Sequence, residues 1–328
     1  MSPDMSALQE QILKLKEEKR AIILAHNYQR DEVQEIADFV GDSLELSRTA
    51  ATIDCDMIVF CGVNFMAESA SILSPEKTVL LPEHEALCPM ADMIQVDSPR
   101  PVRKSFPGFD NPPPYVYPPE FSLRDIKKKY PGVPVVAYVN TTADIKAESD
   151  ICCTSANVVK VVESLPGDEV ICIPDKNLSV WAQRNTRKKV IAWDGYCNIH
   201  ERVTTTDLEK ARAAYPNALL MAHPECRIEV LEKADHVTST SGMLRFAKSS
   251  SEREFIVGTE IGLMHRLRKE NPEKVFYPLT KDIICHNINN TTLKSVLRAF
   301  QENTYLVKVP ENIRIPAKRA LDRMLAII

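Results

Sequence analysis

One pattern recurs three times along the chain, and it limits the fold more than any other feature. Asp38, Asp150 and Asp235 each open a short apolar run, and each is followed five residues later by a hydroxyl residue: Ser43, Ser155 and Thr240. From those hydroxyls to Cys88, Cys197 and Cys285 takes 45, 42 and 45 residues. Self-similarity of this kind means one supersecondary unit used repeatedly, with matched landmarks at matched places in each copy.

In the first copy, Ala21–Ala25 ends on His26, Asp38–Val40 ends at Gly41, Met57–Gly62 follows, and Thr78–Pro82 leads to Cys88. Asp31 is expected to cap a short helix, and Leu44–Ala51 and Phe65–Leu73 read as two more. The second copy has Val133–Asn140, Asp150–Cys153, Val170–Pro174 and Val190–Trp193; the third has Leu219–Ala222, Asp235–Val237, Phe255–Val257 and Val275–Tyr277. Short apolar runs bounded by turns and separated by helices are buried parallel strands. The expected fold is α/β: three homologous four-stranded parallel units in a pseudo-threefold arrangement around a central active site, where the carboxyl ends of the strands converge. The expected boundaries are 1–93 with an N-terminal helix, 121–200, and 201–328 with the C-terminal helices Thr291–Asn303 and Ala317–Ile327. Between the first two lies 94–120, a loop or extended arm holding eight of the 22 prolines and the pair Tyr115 and Tyr117.

With 41 basic and 45 acidic residues and a net charge of -4, the chain has no broad field for nucleic acid or an anionic membrane. The first twenty residues are charged and amphipathic, unlike a signal peptide, and no later segment approaches the roughly 18 apolar residues of a membrane span. A cytoplasmic protein with a small-molecule partner is expected, and in that reducing setting nine cysteines are free thiols. Cys61, Cys152, Cys153 and Cys172 lie inside apolar runs and read as core residues, while Cys55 in a polar turn has no evident role.

Cys88, Cys197 and Cys285 are different because they follow the fourth strands at matched positions. Taken singly, each is a buried thiol. Together they would offer three thiolates to one soft site, and zinc and iron–sulfur clusters both accept such ligands. A [4Fe–4S] cluster held by three cysteines would leave one iron open as a Lewis acid. Ser43, Ser155 and Thr240 end strands and precede helices, so singly each reads as an N-cap. Aimed at one centre, the three would offer hydroxyls and helix N-termini to an anionic substrate. His26, Asn140 and His223 end the first strands. Glu225, after a proline, is either a general base or a carboxylate at a helix N-terminus, with His26, Tyr28 and His223 as proton carriers. Cys226 breaks the matched set and is left out. His84, His265 and His286 read as structural or surface residues.

Longer motifs then come into view: AHNYQ (25–29), QEIADFVGDSLELSR (34–48), GVNFMAE (62–68), CPMADM (88–93), YVNTTADIKAESD (138–150), TSANVVKVV (154–162), GYCNIH (195–200), AHPEC (222–226), STSGM (239–243) and GTEIGL (258–263). In these the chain resembles the quinolinate synthase family along nearly its whole length. The resemblance implies condensation of iminoaspartate with dihydroxyacetone phosphate to quinolinate, phosphate and water, with functional coupling to L-aspartate oxidase. It implies a [4Fe–4S] cluster on Cys88, Cys197 and Cys285 and catalysis by Glu225, Tyr28 and His26. By the same resemblance Ser43, Tyr138, Asn140, Ser155, His200, His223, Ser239, Thr240 and Thr259 line the substrate site. Two departures stand out: a longer proline-rich excursion than the family usually shows, and CHNINNTTL at Cys285 where relatives often carry methionine. The rival readings are another [4Fe–4S] hydro-lyase and a non-enzymatic triplicated scaffold whose polar strand ends are caps.

Overall fold

A computed structural model describes residues 3–97 and 122–327, so most of the proline-rich excursion, including Tyr115 and Tyr117, lies outside the described residues. The element order is the same three times over. The first unit runs α1 (Pro3–Glu18), β1 (Ala21–His26), α2 (Asp31–Ile36), β2 (Phe39–Gly41), α3 (Ser43–Thr52), β3 (Met57–Cys61), α4 (Asn64–Leu73), β4 (Thr78–Leu80). The second runs α5 (Leu123–Lys129), β5 (Val135–Tyr138), α6 (Ala143–Ala147), β6 (Ile151–Cys153), α7 (Val158–Ser164), β7 (Glu169–Ile173), α8 (Lys176–Arg184), β8 (Lys189–Ala192). The third runs α9 (Thr205–Ala214), β9 (Leu219–Ala222), α10 (Ile228–Leu231), β10 (His236–Val237), α11 (Thr240–Ser249), β11 (Glu254–Gly258), α12 (Leu263–Glu270), β12 (Val275–Pro278).

Each unit forms a four-stranded sheet, in the orders β2-β1-β3-β4, β6-β5-β7-β8 and β10-β9-β11-β12, and every strand pair is parallel. The chain leaves the first strand of a unit to one side and returns on the other. This creates a switch point at the carboxyl ends, where such sheets bind ligands.

The recurring aspartates have a structural reason. Asp38 Oδ2 accepts the N–H of Ile23 at 2.8 Å, Asp150 Oδ2 that of Val135 at 2.7 Å, and Asp235 Oδ2 that of Leu220 at 2.8 Å. Their own N–H groups donate back to the carbonyls of the same three residues at 2.9, 3.0 and 3.0 Å. Each aspartate thus brackets one residue of the central strand and sets the register of a second strand too short to set its own.

The core consists of the strands and the helix faces laid on them; Ile23, Ile58, Val136, Val170, Leu220 and Ile256 are fully buried. Two helices follow the third sheet in the chain but pack elsewhere: α13 (Leu293–Glu302) lies on α1 and β3, and α14 (Glu311–Leu325) on α4, α6 and β6. Between them Leu306 bridges Leu80 antiparallel, and Tyr305 and Leu81 exchange backbone hydrogen bonds, which covers the edge of the first sheet. Among the described residues no helix is long and apolar enough to cross a membrane.

Four expected caps differ. Asp31 is the first residue of α2, not its cap, and the N-cap Arg30 makes no side-chain cap. The cap of α3 is Asp42, that of α11 is Ser239, and α7 begins after Asn157. Ser43 and Thr240 are therefore relieved of capping by a neighbour, and Ser155 lies two residues before the N-cap of α7, which makes no side-chain cap.

Candidate active site

The strand ends of all three units meet at a cavity of about 80 Å³. The first unit contributes His26, Tyr28, Ser43 and Cys88 to its wall, the second Tyr138, Asn140, Ser155 and Cys197, and the third His223, Glu225, Thr240 and Cys285. His200, Ser239 and Thr259 stand behind that wall as buried partners of the residues on it.

Glu225 anchors the polar side. Its Oε2 lies 2.9 Å from His200 Nδ1 and 3.4 Å from His223 Nδ1. Burial alone would raise its pKa, but His223 and His200 outweigh burial and hold the carboxyl well below its ordinary range. His200 is itself lowered, chiefly by burial and against the pull of Glu225, which favours a neutral ring donating Nδ1–H to the carboxylate. His200 Nε2 then accepts from Thr259 Oγ1 at 2.9 Å, and Thr259 Oγ1 is 2.6 Å from the Tyr28 hydroxyl. These four residues form one continuous chain of hydrogen bonds: Tyr28, Thr259, His200, Glu225. The Tyr138 hydroxyl also bonds Glu225. Burial, followed by the Glu225 charge, pushes both tyrosines well above their ordinary range, so both remain donors.

His26 accepts the Tyr28 N–H on Nδ1 at 3.2 Å and sits edge-on to that ring. Burial lowers its pKa to about 4, which leaves it neutral with Nε2–H as a donor. His223 Nε2 is 3.1 Å from Ser155 Oγ. Thr240 Oγ1 accepts from Asn27 Nδ2 at 2.9 Å, and Ser239 Oγ donates to Asp42 Oδ2 at 3.2 Å, so the first and third units are joined at the rim. Asn140 Oδ1 is buried without a hydrogen-bond partner among the described residues. Leaving such an acceptor unpaired is costly, and a ligand that donates to it would recover the loss.

The three cysteines share one local geometry. The backbone N–H groups of Ala91, His200 and Ile288, each three residues on, act to lower the pKa of Cys88, Cys197 and Cys285 in turn. Burial nevertheless drives all three thiols far up, Cys285 to about 12, and each is raised further by neighbouring anions. Three sulfurs on one cavity wall, each supplied with a peptide donor suited to a thiolate, fit a cation or cluster that replaces three protons. Cys226 faces elsewhere, 3.5 Å from the Gly258 carbonyl. Cys197, His200 and Glu225 also approach within 4.8 Å of one another. Because His200 is already engaged with Glu225 and Thr259, that trio is a thiol beside a hydrogen-bonded histidine–carboxylate pair.

With this geometry in view, the relatives become informative. The family model "Quinolinate synthetase A protein" matches residues 10–326. The chain belongs to the quinolinate synthase family. A quinolinate synthase of Thermodesulfovibrio yellowstonii is 54% identical over 97% of this chain and 98% of its own length. One from Methanoregula boonei is 51% identical over 99% of each chain, and one from Geobacter sp. strain M21 is 52% identical over 98% of this chain and 97% of its own length. Members of this enzyme family act on small molecules, in keeping with an enclosed site.

Within this family site, sequence reasoning missed several residues. Asp42 and Thr154 line the cavity beside Ser43 and Ser155. The signal was local, since in each unit a pair of polar residues follows the second strand: Asp42-Ser43, Thr154-Ser155, Ser239-Thr240. Val63, Phe65 and Met66 add apolar surface to the cavity lining. Nothing in a short apolar run marks them as site residues.

Proposed function

We propose that the protein condenses iminoaspartate with dihydroxyacetone phosphate to give quinolinate, phosphate and water in NAD biosynthesis, with a [4Fe–4S] cluster on Cys88, Cys197 and Cys285. The observation that carries this reading is the joint presence, on one enclosed cavity, of three peptide-supported thiols and a buried Glu225–histidine pair. The cluster would supply a Lewis-acidic iron for an oxygen of the reacting molecules.

The remaining work falls to the chain itself. Hydroxyls of Ser43, Ser155 and Thr240 suit carboxylate and phosphate oxygens, with Ser43 and Thr240 at the starts of α3 and α11. Asn140 Oδ1 would accept from the imine nitrogen or a hydroxyl of the substrate. Ionised Glu225 is the base for a proton on carbon. The Tyr28–Thr259–His200 chain donates toward Glu225 and would hold that carboxylate ionised and oriented, while neutral His26 is a donor for departing oxygens. Condensation followed by loss of water needs both a base and an acid at one site, and Glu225 and His26 would supply them.

Iminoaspartate is an oxidised aspartate, so coupling to L-aspartate oxidase belongs to the same reading, as does the reducing cytoplasm, in keeping with nine free cysteines. Anaerobically purified protein mixed with both substrates should form quinolinate. Product formation from an iron-loaded parent supports the proposal; an intact cluster with no product would favour a hydro-lyase.

A further inference from the structure

One device holds two of the three cysteine loops. Asp175 stands two residues past the end of β7, and Glu260 two residues past the end of β11. Both are buried. Asp175 Oδ1 accepts the N–H of Leu178 in the first turn of α8 at 2.8 Å, and its Oδ2 accepts the N–H of Cys197 at 3.2 Å. Glu260 Oε2 accepts the N–H of Gly262, the N-cap of α12, at 2.6 Å. Its Oε1 accepts the N–H of Cys285 at 3.1 Å and the amide of Asn289 at 3.2 Å. In each case one oxygen ties the start of the helix after the third strand, and the other ties the backbone of a proposed cluster ligand. In the first unit the equivalent place, two residues past β3, holds Val63, whose side chain offers no acceptor.

We propose that Asp175 and Glu260 are positioning residues for the cluster, each fixing one ligand cysteine to its own unit, while Cys88 is the ligand with no such tie among the described residues. This rests on the cluster reading given above. The chemical requirement is specific. A carboxylate offers acceptors on both sides and can face two N–H groups at once, whereas an amide of the same shape sets an NH₂ donor against one of them. Partners that orient metal ligands in this way typically alter metal retention about 10–100-fold when removed.

The test uses the anaerobically reconstituted full chain, with iron release to EDTA followed over time and the reduced cluster examined by electron paramagnetic resonance. Asp175→Asn and Glu260→Gln are compared with the parent and with Thr204→Ala, which removes the side-chain cap of α9 at the end of the Cys197 loop and leaves both carboxylate ties in place. The expected result is iron loss about 10–100-fold faster in both amide variants, with a changed resonance line shape, and parental behaviour in Thr204→Ala. Release within twofold of the parent, or equal acceleration in Thr204→Ala, would overturn the inference. If Asp175→Asn does not fold, Glu260→Gln decides alone; if neither folds, the pair is a folding element and the inference falls. A parent that takes up no iron overturns the cluster reading itself, and unchanged variants of an iron-loaded parent overturn only this inference.

Discussion

His200 Nδ1 stands 2.9 Å from Glu225 Oε2, with both groups buried. The pair joins a loop that follows the second sheet to a turn that follows the first strand of the third, so the acid–base centre exists only when those units are in contact. Replacing Glu225 by Gln keeps the shape and removes the base. Turnover should fall by at least about 100-fold, with circular dichroism and iron content unchanged. Near-parental rates would remove Glu225 from that role.

Thr259 connects His200 Nε2 to the Tyr28 hydroxyl and does not itself reach the cavity. Thr259→Val preserves volume but breaks the chain at its middle. We expect kcat to fall about 10–100-fold while KM stays within a few-fold, since no substrate contact is lost. A rise in KM with unchanged kcat would mark Thr259 as a binding residue.

Asn140 Oδ1 has no hydrogen-bond partner among the described residues. Asn140→Leu should therefore leave thermal stability at the parental value or slightly above it, yet weaken substrate binding by about 1–3 kcal/mol, read as a raised KM. A large loss of stability with unchanged KM would contradict this.

His26 gives a pH dependence with a definite sign. Its folded pKa of about 4 lies below the ordinary 6.5 because burial disfavours the charged ring. The unfolded chain therefore binds the proton first as pH falls. The stability contribution is complete above about pH 6.5 and is lost as pH drops toward 4, amounting to roughly 3 kcal/mol across that window. Denaturation midpoints of parent and His26→Gln should converge in acid; parallel profiles would show that His26 does not titrate this way.

Asp150 brackets Val135 with two hydrogen bonds. Asp150→Ala strands a backbone N–H and should cost about 1–3 kcal/mol in chemical denaturation. That residue also shows what was legible in the sequence. The Asp38, Asp150 and Asp235 series could be read because its contacts, fifteen residues apart, repeat at one spacing. The cysteines and hydroxyls followed from the same phase. Asp42, Asp175 and Glu260 escaped notice because their roles depend on partners in other loops or another unit, as when Asp42 meets Ser239. His200 and Thr259 stand one layer behind the cavity wall, a distinction of depth that no one-dimensional pattern carries. The placement of α13 and α14 against earlier units was hidden for the same reason.

The claim that three units converge on one iron–sulfur site is tested most directly by counting iron in anaerobically prepared parent, Cys88→Ala, Cys197→Ala and Cys285→Ala. About four irons per parent chain, with loss of the cluster in all three variants at unchanged helix content, is the expected result. A colourless parent, or a cluster that survives removal of any one of these cysteines with full iron, would contradict it.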